Sequence, residues 1–390
     1  MIQYIEKERG ILMRYKWNVE EIRENIIQLE LMKALENSLD NIENINNVLG
    51  IYTEMLDNYD NRIKEQDILY NLDYNISDLN VALEVLSYYY KSINPEIIKI
   101  LIGSYKPFYE IYYQQKKDEG LVDPILTSTN DDLKKITENF FIEMTPAEIA
   151  EKAIKILNKE GLIHINHSKN SCNYDAITLL DCILNKKYIY LLRNNRLTEL
   201  RALPHEMFHY VFSDFDDYKS QYSNMYFVNE TEGSFANILF GDYFYQNNDQ
   251  FGNFFNQLNL LTYESNVIDL IVRDAVVTTL RDNNKIRLNN VNKIISNYNL
   301  TSFNDENEIL EYISNSHESL IKYTLSFLIA IDLYYIYLED KELAFYLLKN
   351  IRYIKSENDI FKVLRNNHIT FMDDGYKNLK EYTKKIERQN

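Results

Sequence analysis

His205-Glu206-Met207-Phe208-His209 is the stretch on which the reading of this chain turns. Two histidines four residues apart on a helix are separated by about 6 Å along the axis and by only about 40° around it. Both imidazoles then leave one face and can grip one Zn²⁺. The glutamate beside the first histidine lies next to the metal's open position, where it can take a proton from water. The chain has only six histidines, so the pair is not the by-product of a histidine-rich composition. The bland alternative is two core or surface histidines on an amphipathic helix.

Catalytic zinc needs three protein ligands and one open position. After His209 the next histidine is His317, so the third ligand is sought among acids: Asp214, Asp216, Asp217, Glu230 and Glu232. The three aspartates come too soon for a second helix to fold back and read as a solvated loop. Glu230 and Glu232 open an apolar run, Phe235-Ala236-Asn237-Ile238-Leu239-Phe240. A helix packed on the first would bring one of them to the metal. They are about 200° apart around a helix, so only one can face it.

Three stretches carry a family resemblance. Val228-Asn229-Glu230-Thr231-Glu232-Gly233-Ser234-Phe235 through Tyr243 is similar to the third-ligand helix of the thimet oligopeptidase and oligoendopeptidase F family of zinc metallopeptidases. Tyr190 through Glu206 resembles that family's strand, turn and zinc helix, and Tyr323-Thr324-Leu325-Ser326-Phe327 through Tyr334 its C-terminal helix. The resemblance covers much of residues 188–340. It implies His205, His209 and Glu230 as ligands of one Zn²⁺ per chain; Glu232, which keeps a Glu-Gly pair seen in other two-helix zinc peptidases, stays open as the alternative third ligand. It implies Glu206 as the catalytic base, and Tyr323 or His317 as donor to the developing oxyanion. Phe208 replaces the glycine usual before the second histidine, and Phe212 a further histidine. The interval from His209 to Glu230 is a little shorter than usual. No ligand or base is lost.

Around these stretches the composition is that of a globular protein, with 45% hydrophobic and 26% charged residues. The 9 glycines and 5 prolines are too few for an all-β fold and favour long helices. Residues 17–70 read as amphipathic helices with a break at Gly50. Another helix is expected over 76–93, and a further one starts at Asn94-Pro95-Glu96. Residues 117–130 read as a loop or boundary, and Thr145-Pro146 as a helix start. Leu162–Ile165 and Tyr188–Leu192 are short β-favouring runs beside the metal helix. An edge strand there could bind an extended peptide.

The expected fold is therefore mainly α, a large helical metallopeptidase fold with a small sheet beside the zinc helix and a substrate cleft between helical walls. Residues 1–130 would form one wall and 131–390 the catalytic region, the two being continuous. A net charge of −17 disfavours nucleic acid and anionic membranes as partners and tolerates cationic peptides. The most apolar run, near 325–337, carries Asp332 and reads as too short to span a membrane. Cys172 and Cys182, with no signal peptide in view, suggest a reducing, cytoplasmic setting.

The expected activity is zinc-dependent hydrolysis of short or unfolded peptides. The alternatives are a processing peptidase for one dedicated peptide, and a silent relative that binds peptide or protein. Asn229, Glu232, Ser234 and Asp242 are candidates to orient a zinc histidine. His164, His167, His368 and Cys172 are given no role in the chemistry.

Overall fold

The computed structural model describes residues 95–112, 121–126, 128–159, 161–167, 175–181, 186–193, 195–212, 228, 230–247, 249–283, 287–314, 320–351 and 360–389, with positions 33, 45, 46, 49 and 50. The expected helices over 17–70 and 76–93 lie almost wholly outside these residues. Gly50 is helical and exposed, and the residues that follow it, where the break was expected, are outside those described. The chain groups into two compact units, 96–270 with 318–390, and 1–95 with 271–317.

Helix α1 (Pro95–Gly103) begins with its proline at the first turn, where the missing N–H costs nothing. It is followed by α2 (Tyr105–Tyr112). Helix α3 (Asn130–Met144) is started by a capping box between Thr129 and Asp132. Thr145, expected to cap the next helix, instead closes α3, its Oγ1 donating to Phe141 O at 2.7 Å. That bond satisfies a carbonyl left open at the helix end. Pro146 then stands before α4 (Ala147–Leu157).

A three-stranded sheet follows, β1 (Ile163–His167), β2 (Asp175–Asp181) and β3 (Lys186–Arg193), in the order β1-β3-β2. β1 runs parallel to β3, with Ile163 opposite Ile189; β2 runs antiparallel, with Thr178 also opposite Ile189. β1 and β3 fall on the two expected runs. β2 was not read from the sequence.

The joint from β3 to the next helix is firmly built. Arg193 and Glu199 are both fully buried, with Arg193 Nε donating to Glu199 Oε1 at 2.8 Å. Glu199 Oε2 accepts from the Asn195 backbone at 2.9 Å, and Asn130 Oδ1 accepts from Arg193. Every charge-bearing edge is thus hydrogen-bonded, as a buried pair requires. The 121–126 segment lies along this joint, with Leu126 N donating to Asn195 O and Leu197 N to Pro124 O. A 3-10 turn (Leu197–Arg201) leads into α5 (Ala202–Phe212), which bears the two histidines.

After α5 come α6 (Thr231–Asn247), α7 (Asp249–Asn283), α8 (Leu288–Ser296), α9 (Glu306–Ser314), α10 (Leu320–Glu339), α11 (Lys341–Ile351), α12 (Ile360–Asn366) and α13 (Lys377–Gln389). α5 packs on α6, β2, β3, α3 and α4, and α6 packs in turn on α10. α8, α9 and the end of α7 belong to the other unit, where Asn292 brackets the Phe303 backbone with two 2.9 Å bonds.

α10 is longer than the apolar run read from sequence, and among the described residues it alone is long and apolar enough to cross a membrane. Of its apolar window, 67% is buried inside the protein against α6, α11 and α13. Asp332 does not end it. Its carboxylate accepts from Thr370 N (2.8 Å), Phe371 N (2.9 Å) and Asn378 Nδ2 (2.9 Å).

Candidate metal centre

α5 buries Leu203, Met207, Phe208 and Val211, leaving His205 and His209 together on a half-exposed face. Phe208 is fully buried. Its ring meets those of Phe141 (5.4 Å), Phe212 (5.6 Å), Phe140 (6.1 Å) and Phe345 (6.1 Å). Phe212 in turn stacks on Phe345. The two positions that depart from the resembled family thus join one aromatic layer beneath the helix, which accommodates the large side chain.

α6 supplies the acids. Glu230 stands at its threshold, its carbonyl accepting from Ser234 N at 2.9 Å, and Glu232 is in the first turn. Carboxylates are favoured there by the helix dipole. Gly233 explains how closely the two helices approach. A Cβ on it would lie 2.2 Å from His205 Cε1 and 2.4 Å from Nε2. Only glycine lets the backbone of α6 meet that ring.

Nε2 of His205 and Nε2 of His209 are 3.2 Å apart, and Glu230 Oε2 is 3.6 Å from each. Ligand atoms held tetrahedrally at about 2.0–2.1 Å from zinc sit about 3.3 Å from one another. The spacings fit a single zinc ion, and the three residues could hold one. On the far side of His209, Nδ1 is 3.3 Å from Glu232 Oε2. A carboxylate only accepts, so the proton belongs on Nδ1 and the Nε2 lone pair faces the trio.

Both glutamates therefore reach the centre, at opposite nitrogens of His209. The sequence argument for a 200° separation treats both as helical, but Glu230 precedes the first helical residue. Lys322, at the start of α10, places Nζ 2.8 Å from Glu230 Oε1.

Glu206 is buried, and the Thr178 hydroxyl on β2 lies 2.8 Å from its Oε2 and 2.9 Å from its backbone oxygen. At His209 burial opposes the charged ring. Hydrogen bonds to Glu230 and Glu232 and the charges of Glu230 and Glu206 overcome it and raise the pKa well above the ordinary histidine value. Burial likewise pushes Glu230 upward, but hydrogen bonds from both histidines and the charges of His209 and Lys322 hold it well below the carboxylate range. The metal-free centre thus favours a proton at His209, which a bound cation would displace.

Tyr323 is on α10, 38% exposed, with Lys322 Nζ 5.1 Å from its ring centre. His317, Asn229, Asp214, Asp216, Asp217, Cys172 and Cys182 lie outside the described residues. Asp242 ties α6 to α10 and α13 through Tyr334 (2.5 Å) and Lys385 (2.6 Å) instead of meeting a histidine. His164 is on β1, 6.0 Å from the Tyr188 ring, and His368 follows α12 with a left-handed backbone; neither joins the trio. Lys322, Thr178 and the service of Gly233 to His205 had no local signal in the sequence.

Several solved structures that this chain resembles carry peptidase assignments. Over 86% of its length the chain superposes on a protein from Chlamydophila abortus provisionally assigned as a peptidase, with a TM-score of 0.60 at 12% identity and 65% of that chain covered. An oligoendopeptidase F assignment from Bacillus anthracis str. Ames matches over 90% of the chain (TM-score 0.52, 12% identity, 66% of its length). Pz peptidase A, solved with an inhibitor, matches over 99% (TM-score 0.54, 11% identity, 80% of its length). The chain has the fold of these peptidases. It spans about two thirds of the length of the first two. No protein-family model and no curated protein matches it in sequence.

Proposed function

We propose that this protein is a zinc-dependent endopeptidase acting on short or unfolded peptides. The observation that carries the reading is the trio of His205, His209 and Glu230 at zinc spacing, with Glu206 between the two histidines on one helix turn. The peptidase fold supports it.

Zinc in such a centre polarises the scissile carbonyl and lowers the pKa of water from about 15.7 to about 7. The side chains divide the remaining work. Glu206 takes the proton from the attacking water and delivers it to the leaving amine. Thr178 holds the Glu206 carboxylate from β2. Glu232 fixes the tautomer and orientation of His209. Tyr323, one residue beyond the lysine on Glu230, is our candidate donor to the oxyanion, with His317 the alternative.

The test is cleavage of a mixed peptide library by the wild type and by Glu206→Gln, with zinc content recorded for both. We expect cleavage by the wild type and a loss of at least about 10²-fold in the variant with zinc retained. A zinc-loaded wild type that cleaves no peptide would overturn the reading and favour a peptide-binding role.

A further inference from the structure

The two oxygens of Glu230 are used differently. Oε2 faces both histidine Nε2 atoms at 3.6 Å, while Oε1 is held by Lys322 Nζ at 2.8 Å. Both side chains are largely buried, 14% and 15% exposed. The ion pair joins the first turn of α10 to the threshold of α6, two helices packed against each other. The ammonium also stands over the Tyr323 ring, a contact that further restricts its swing.

We propose that Lys322 is a positioning residue of the metal centre, holding Oε1 so that Glu230 presents a single oxygen in a single rotamer. The inference rests on the zinc reading above. A carboxylate able to turn, or to bind through both oxygens, would close the position that catalysis needs open. The alternative is that Lys322 acts by charge alone, and the two ideas differ in sign. An ammonium repels a divalent cation, so on charge alone its removal tightens metal binding. On positioning, its removal loosens binding, because the ligand must then be ordered by the metal itself.

The experiment uses the full chain as wild type, Lys322→Met and Lys322→Arg. Zinc dissociation constants are measured by competition with a chromophoric chelator, visible spectra are recorded for the Co²⁺-loaded proteins, and metal-free folding is checked by thermal melting. Lys322→Met should lose about 10–100-fold in zinc affinity and shift the Co²⁺ bands. Lys322→Arg, which keeps a charged donor of similar reach, should restore both. Unchanged or tighter zinc binding in Lys322→Met overturns the proposal, as does a loss that Lys322→Arg shares in full. If methionine unfolds the protein, Lys322→Gln is judged by the same readings. A wild type that binds neither Zn²⁺ nor Co²⁺ fails the zinc reading itself, and the role of Lys322 falls with it.

Discussion

Gly233→Ala is the sharpest single test of the centre. The added methyl would lie 2.2 Å from Cε1, 2.4 Å from Nε2 and 2.6 Å from Nδ1 of His205. Ordinary carbon contacts are about 3.5–4.0 Å, so the ring must retreat by roughly 1 Å or more. In the metal-free protein that retreat costs less, because the imidazole, 21% exposed and bound to no metal, can turn about its own bonds. With zinc bound, Nε2 cannot leave, and the clash must be absorbed by the centre. Overpacking of this kind costs about 1–3 kcal/mol. It should therefore appear in the binding constant, weakening zinc by about 5- to 150-fold. Chelator competition measures the affinity and thermal melting of the apo-protein measures the fold. Wild-type zinc affinity in Gly233→Ala would refute the reasoning. A loss matched by equal destabilisation of the apo-protein would place the cost in helix packing instead.

Three further outcomes are expected. Thr178→Val, which removes one hydroxyl at nearly constant volume, should lower kcat by the equivalent of about 1.5–3 kcal/mol without changing zinc content, and Thr178→Ser should retain activity; a fully active valine variant excludes Thr178 as support for Glu206. Phe208→Ala empties the centre of the aromatic layer and should cost about 3–5 kcal/mol in urea unfolding, against little change if the layer can collapse. Asp332 has its pKa pushed up to about 6 by burial, despite the bonds it accepts from Asn378, Thr370 and Phe371. Its native carboxyl keeps a proton between about pH 4 and 6 that the unfolded chain has released, so stability on the order of 2–3 kcal/mol is present below about pH 4 and lost as pH rises through 6. Asp332→Asn should flatten that limb of a stability–pH curve; an unchanged limb assigns it to other groups.

The histidine pair was legible because a four-residue interval has one meaning on a helix; an acid before an apolar run marked Glu230 and Glu232 alike, and only the family resemblance singled out Glu230. β1 and β3 were legible in their β-branched and aromatic residues. Asp175-Ala176-Ile177-Thr178-Leu179-Leu180-Asp181 was not, since it lacks alternation and becomes a strand by pairing with β3. Thr178 was lost with it. Lys322 is invisible for another reason: its contact joins residues 230 and 322, and no local pattern encodes a pair so far apart. Glu232 was legible as a candidate to orient a zinc histidine, and it meets His209; the inference that only one of the two glutamates could face the centre failed because Glu230 precedes the helix. The apolar run read near 325–337 is shorter than α10 because apolarity marks only the middle of the helix, and the partners of Asp332 at 370, 371 and 378 lie too far along the chain to be read from it.

The bond between His209 and Glu232 has a kinetic meaning. Imidazole is the usual shuttle for protons near neutral pH because it can take one up at one nitrogen and release another. At His209 one nitrogen faces the trio and the other faces Glu232, so the ring has no vacant atom with which to relay. In the proposed reaction both transfers fall to Glu206, first as acceptor and then as donor. One carboxylate would then do the work that other active sites divide between a separate acid and base.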